Sequence, residues 1–187
     1  GTYQGRPVEE YLKGNYGKIS ELSPYFVNSL YAQDRAITWI TGLKSEYEKG
    51  NIILLDRYTT SSIIYQSVFI KDKDEKNKFI DYVIKYEYEE NKIKKPDLVI
   101  FLKAPYNLVK KLKNNRIDNE GIVNDVYEKD DILMEDIYNN AIYISNYLNW
   151  NIVDCSDGDT FKDKDTISEE VYRLVKKKIK KSIDIKT

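Results

Sequence analysis

The 187-residue chain carries 30 Lys and Arg against 31 Asp and Glu, a formal net charge of −1, and no histidine. The missing histidine removes Ser-His-Asp and Cys-His nucleophile systems, H-E-x-x-H zinc sites and imidazole relays, so chemistry has to run on carboxylates, Lys, Arg, hydroxyls and a bound metal. A single cysteine, Cys155, closes no internal disulfide and suits a reducing compartment, and the near-neutral balance argues against a nucleic-acid surface. With 41% apolar residues the chain is expected to fill one core as a single domain over 1–187. No apolar run approaches the ~20 residues of a membrane span, so a soluble, cytoplasmic protein is expected, with no membrane and no nucleic-acid partner.

Residues 7–13 read as a short helix ending at Gly14. Ser23-Pro24 then offers an N-cap and a first-turn proline, and Val27, Leu30, Tyr31, Ile37 and Ile40 carry a helical stripe to a stop at Gly50. The run Ile52-Ile53-Leu54-Leu55 is unbroken, too short for a helix and bounded by turn residues, which predicts a buried parallel strand. Residues 60–69 and 76–92 look helical. Pro96-Asp97 precedes a second apolar run, 98–102, expected to be another strand.

Residues 106–115 fit a helix, and 116–124, polar and interrupted by Gly121, read as a loop. A long helix is expected over 128–148 and a third strand over 151–155. A closing helix is marked by Ile167, Val171, Leu174, Val175 and Ile179, its Lys-rich end reading as a solvated helix C-terminus. Strands separated by helices imply a parallel α/β sheet, whose ligands sit at the carboxyl ends of the strands. That directs attention to Asp56-Arg57-Tyr58, Lys103-Ala104-Pro105 and Asp154-Cys155-Ser156.

Asp56 directly after an apolar run suits a carboxylate at a strand tip beside Mg²⁺, with Arg57 as a fixed cation; the bland alternative is a solvated turn. On the helix from Pro24, Tyr31 lies one turn before Arg35, so ring and guanidinium share a face. An arginine on a core-facing stripe needs an anion. Either Asp34 or Asp56 supplies it internally, or a ligand does, with the ring stacked on a base. Ser62 and Gln66, four apart, share a helix face, and an amide can read a base edge with donor and acceptor together.

These residues resemble the thymidylate kinase family, which makes dTDP from dTMP and ATP. Leu55-Asp-Arg-Tyr-x-x-Ser-Ser62-x-x-Tyr-Gln66 is similar to its D-R-Y signature followed by S-S-x-x-Y-Q, a specific combination. Tyr11-Leu-Lys-Gly14 resembles its Y-L-x-G, Leu30-Tyr-Ala-Gln-Asp-Arg35 its F-x-A-x-x-R helix, and Pro96-Asp-Leu-Val-Ile-Phe-Leu102 its P-D-L-x-x-x-L strand. Arg116 onward resembles its lid and Asp125-Val-Tyr-Glu128 the segment after it.

The resemblance implies a three-layer α/β/α P-loop kinase fold with a parallel sheet, a homodimer, ATP as co-substrate and Mg²⁺ beside Asp56, through water. Tyr31 would stack on thymine and Arg35 would contact base and sugar phosphate. Arg57 would hold the acceptor phosphate, Ser62 and Gln66 would face the base, and Tyr127 would close over the sugar. Arg116 would open a lid over ATP spanning 116–124. Asp56, Arg57 and Arg116 are then the catalytic set.

The family's G-x-x-G-x-G-K-[ST] phosphate loop is not found in the sequence. Gly14-Asn-Tyr-Gly-Lys-Ile-Ser20 has the wrong glycine spacing, Ile19 where a hydroxyl belongs, and a helix before it. The first, central strand and the P-loop are therefore expected upstream of Gly1, that strand lying between 52–55 and 98–102. The alternatives are a non-catalytic nucleotide-binding module of the same fold, or a kinase for another nucleoside or nucleoside monophosphate.

Overall fold

A computed structural model of the chain describes residues 2–120 and 125–184, with only the backbone at 116–120 and 181–184. By contacts it divides into two compact units, 1–95 with 125–140, and 96–124 with 141–187.

The first unit is helical. Helix α1 (Arg6–Leu12) starts on Pro7 and gives way to Gly14 in the left-handed region, as the glycine predicts. A single 3₁₀ turn, Ile19–Glu21, follows. Helix α2 (Pro24–Thr38) begins on extended Ser23 with Pro24 in its first turn, although the Ser23 hydroxyl makes no capping bond. Its helical path continues through a π turn, Trp39–Leu43, into α3 (Lys44–Glu48), and ends at Gly50, whose φ of 86° a side chain would strain. Helix α4 (Thr59–Ser67) follows. Helix α5 (Lys73–Lys85), capped by Asp72 accepting from the Glu75 N–H at 2.9 Å, extends through a second π turn, Tyr86–Glu90.

Side chains at helical spacing make the core. Tyr11, Val27, Val68, Tyr127 and Ile137 are buried together, while Phe79, Ile80 and Val83 of α5 are fully enclosed. Each such side chain contributes on the order of 1.5–3 kcal/mol by leaving water. Asn140 is the polar tie: its Nδ2 donates to the Ile64 carbonyl (2.7 Å) and the Ser67 hydroxyl (2.9 Å), and its Oδ1 accepts from Lys76 Nζ at 2.8 Å. All three contacts lock α4 and α5 to the chain that returns at 125–140.

In the second unit, β1 (Ile100–Lys103) leads to α6 (Tyr106–Glu120); α7 (Asp131–Tyr147), whose residues up to Asn140 belong to the first unit, leads to β2 (Asn151–Asp154). Strands β1 and β2 pair in parallel, from Ile100↔Asn151 to Lys103↔Asp154, which requires the long helical crossover found between them. A small antiparallel pair, β3 (Ser156–Asp157) and β4 (Thr160–Phe161), precedes α8 (Lys164–Asp184). Ala104, Val153 and Cys155 are covered by Ile167, Val171 and Leu174 of α8, three of the five residues that marked the closing helix.

Three expectations need correction. Residues 52–55 form no strand: they join no ladder among the described residues, and Ile52 and Leu54 are 73% and 89% exposed. An apolar run becomes a strand only when a neighbour satisfies its backbone, and none of the described residues does so. Strand β1 begins at Ile100, two residues late. The segment 116–120 continues α6 instead of starting a loop, because its polar residues are compatible with helix and the breaking glycine comes only at 121; positions 121–124 lie outside the described residues.

One buried group is left unserved. Asn28 of α2 has no exposure, and neither its Nδ2 nor its Oδ1 finds a partner among the described residues. Replacing it with a leucine of similar shape removes the desolvation cost without opening a cavity. Asn28→Leu is expected to raise stability by about 1–2 kcal/mol, read from urea denaturation midpoints at unchanged slope.

Candidate active site

A cleft of about 400 Å³ lies wholly within the first unit. Four consecutive-turn positions of α2, Tyr31, Asp34, Arg35 and Thr38, form one wall, and Ser61, Ser62, Tyr65 and Gln66 of α4 form another. The approach to α4 adds Leu55, Arg57 and Tyr58, and the turn before α7 adds Asp125 and Tyr127. Helical spacing explains the first two groups, since residues three and four apart share a face.

Arg35 is 12% exposed and faces Glu87, which has no exposure at all. Its Nε donates to both carboxylate oxygens (3.1 and 3.2 Å), and its Nη2 donates to Glu87 Oε1 and to the Ser62 hydroxyl, the latter at 2.9 Å. The internal anion is therefore Glu87, and neither Asp34 nor Asp56 fills that part. Glu87 follows Phe79, Ile80 and Val83 at helical intervals, so a carboxylate on a buried stripe was the signal for it, the mirror image of the argument that singled out Arg35. The guanidinium carbon also lies 6.0 Å from the Tyr31 ring centroid.

Arg57 differs. It adopts a left-handed φ of 67°, a conformation that costs a non-glycine residue on the order of 1 kcal/mol and is kept where surrounding structure insists on it. That turn leads the chain from the irregular 52–55 segment into α4. The guanidinium lies 5.4 Å from the Tyr65 ring centroid and makes no ion pair with a carboxylate among the described residues. The cleft thus has one arginine neutralised by a buried carboxylate and one that is not.

Beneath the base of the cleft runs a chain of hydroxyls. Tyr127 Oη donates to Gln66 Oε1 at 3.2 Å and meets Tyr11 Oη at 2.5 Å, with Tyr127 and Gln66 each 2% exposed. Burial raises the Tyr11 phenol to about 12, and burial together with the Tyr11 ring beside it drives Tyr127 higher still. Asp125 Oδ1 accepts from the backbone N–H groups of Tyr127 and Glu128, both at 2.9 Å, and so shapes the turn that presents Tyr127.

Six of the eight residues singled out from the sequence come together here: Tyr31, Arg35, Arg57, Ser62, Gln66 and Tyr127. Asp56 is exposed in the bend beside Arg57 and does not line the cleft. The Arg116 side chain lies outside the described residues. Glu87, Tyr65 and the Tyr11 hydroxyl were not anticipated as site residues; Tyr65 and Tyr11 stood inside quoted motifs without a role of their own.

A sequence model described as thymidylate kinase matches residues 1–158. The chain belongs to the thymidylate kinase family. It is similar to the probable thymidylate kinase 1 of Saccharolobus solfataricus, 26% identical over 165 residues that cover 87% of this chain and 73% of that protein. It is also similar to the probable thymidylate kinase of Caldivirga maquilingensis, 25% identical over 136 residues, covering 73% of this chain and 59% of that protein. Thymidylate kinases are P-loop α/β enzymes that move a phosphoryl group from ATP to dTMP, and the parallel β1–β2 pair with its helical crossover accords with that fold. No helix among the described residues is long and apolar enough to cross a membrane.

Two outcomes are expected of these thymidylate kinase residues. Glu87→Ala strands the buried Arg35 charge and is expected to cost about 3–5 kcal/mol in urea denaturation. The two phenols work at high pH. A folded-state value above the unfolded one near 10 means that the unfolded chain loses its protons first, so stability is full below pH ~10 and falls as pH rises toward 12. Denaturation midpoints followed alongside tyrosinate absorbance check this.

Proposed function

We propose that the cleft of the first unit is the dTMP site of an ATP-dependent thymidylate kinase, with the base at the Arg35 end and the phosphate at Arg57. The observation that carries this reading is the unequal state of the two arginines. Glu87 cancels the charge of Arg35, which leaves it a directional hydrogen-bond donor suited to an uncharged base carbonyl, while Arg57 keeps its charge for a phosphate. Tyr31 offers its ring to the thymine face, Ser62 and Gln66 face the base, and Tyr127 flanks the sugar.

Phosphoryl transfer depends on positioning and charge neutralisation, and a chain without histidine lacks nothing it needs. Asp56, an exposed carboxylate next to the phosphate-binding Arg57, fits a Mg²⁺ that takes one carboxylate, water and substrate phosphates; the described residues hold no cluster of three or more acidic or thiol ligands, and such an ion does not require one. When bound, Mg²⁺ neutralises charge on the phosphate oxygens. This chain's own part is to orient dTMP and fix its acceptor phosphate, with Arg116 and the 116–124 segment serving as a lid over ATP. Cytoplasmic action as a homodimer completes the proposal; Tyr25 and Phe26, apolar side chains of α2 that stay 39% and 44% exposed, support the homodimer alone.

Arg57→Ala is expected to weaken dTMP by about 2–3 kcal/mol while leaving thymidine, which lacks the phosphate, almost unchanged in titration calorimetry. Equal loss for both ligands would remove Arg57 from the phosphate.

A further inference from the structure

Several surface lysines lie three or four residues from a glutamate that pairs with them, as in Lys13–Glu10, Lys44–Glu48 and Lys78–Glu75. The outward face of α8 departs from this pattern. It carries Asp165 and Glu169 in its first half and Arg173, Lys176, Lys177 and Lys180 in its second, where these cations are one another's neighbours at i+3 and i+4. The helix dipole favours such a segregation only in the terminal turns, and α8 runs on to Asp184, which leaves Glu169 and Lys176 beyond its reach. Most of these charges are also without a partner. The Asp165 carboxylate and the Lys177 and Lys180 ammonium groups make no ion pair among the described residues, and Glu169 engages only Oε1, which accepts from Arg173 Nε at 3.1 Å. Lys176 sits 5.5 Å from the centroid of the Tyr172 ring, and Tyr172 is 55% exposed.

At 3.6 residues per turn, Asp165, Glu169, Tyr172, Arg173, Lys176 and Lys180 fall in one stripe, on the side of α8 opposite Ile167, Val171 and Leu174, which pack on Ala104, Val153 and Cys155. That stripe complements its own reverse. Asp165 and Lys180 are equidistant from the peptide bond joining Tyr172 to Arg173, and so are Glu169 and Lys176. Two such helices laid antiparallel about a dyad at that bond set Asp165 against the second copy's Lys180 and Glu169 against the second copy's Lys176, each contact occurring twice, with the two Tyr172 residues meeting at the centre. Self-complementarity is what a twofold interface requires of a surface. We propose that the outer face of α8 is a contact surface for a second copy of this chain, paired antiparallel through these charges. The pattern selects that occupant, because a polyanion would meet Asp165 and Glu169, and a polycation Lys176 and Lys180, within the same stripe. A stripe of six residues falls short of the roughly 20–30 a side of a standard interface, so the association is weak and yields to salt. It is separate from the apolar contact at Tyr25 and Phe26 and does not rest on the reading of the cleft as a dTMP site.

The test is sedimentation equilibrium at about 20 mM and about 500 mM salt, read as the mass gained at low salt over the high-salt value, so that an apolar homodimer through α2 does not enter the reading. The wild-type chain is expected to gain mass. The paired variants Asp165→Lys with Glu169→Lys, and Lys176→Glu with Lys180→Glu, are each expected to lose that gain, because each sets like charges against one another across the dyad. An equal mixture of the two is expected to restore it, one chain then offering basic residues at all four positions and the other acidic ones. A wild-type chain with no gain at low salt would overturn the proposal, as would a gain kept by either variant alone or a mixture that recovers none. Tyr172→Cys gives a second reading that leaves the four charges in place. Under mild oxidation it is expected to form a disulfide-linked dimer at low salt and about tenfold less of it at high salt, with Cys155, 6% exposed, too buried to compete. Absence of that cross-link at low salt would overturn the proposal however the charge variants fold.

Discussion

The first unit is organised around a buried ion pair. Arg35 on α2 and Glu87 in the π turn after α5 come from sequence positions far apart, and removing two charges from water is tolerable only because they meet at hydrogen-bond distance, both carboxylate oxygens accepting from the guanidinium. Ser62 of α4 accepts a further N–H from the same guanidinium, so the pair ties three helical segments together. Two of those helices, α2 and α4, are the walls of the cleft. A less complete network would leave either a charge without a partner or a pocket without a fixed shape.

The charge consequence matters as much as the mechanical one. A cleft with two unpaired arginines would attract any polyanion and would place no end of a nucleotide preferentially. With one guanidinium cancelled and the other resting on the Tyr65 ring, the cleft acquires a neutral end and a cationic end. Polarity of this kind orients a molecule that is itself neutral at one end and anionic at the other. The left-handed turn at Arg57 belongs to the same arrangement, since Arg57 lines the cleft together with α2 and α4.

A second tier of buried groups refines what the walls present. Tyr11 and Tyr127 are rings of the core by volume and burial, yet their hydroxyls form a directional chain ending on the amide of Gln66. Core packing and the cleft lining therefore meet at Tyr127, which belongs to both. Asn28 shows the contrast: equally buried, it carries polar atoms that join no such chain, and nothing in the structure explains its place.

Local physics in the residue order was enough for most helices and for the composition of the cleft. Apolar stripes at helical spacing, Pro at first turns and Gly50 at a stop are decided within a few residues, and Tyr31 with Arg35, or Ser62 with Gln66, share a face because a helix has 3.6 residues per turn. Non-local facts were beyond that reach. The apolar run 52–55 reads as strand from its side chains, but a strand is a relation between two backbones, and the partner is not something the run itself encodes. The anion facing Arg35 could be sought among its sequence neighbours, and it came instead from a helix fifty-two positions on. Likewise the meeting of Tyr11 with Tyr127 spans 116 positions. Only the folded chain decides such pairings, because burial energies are won by contacts between segments whose order along the sequence imposes no rule on which of them will touch.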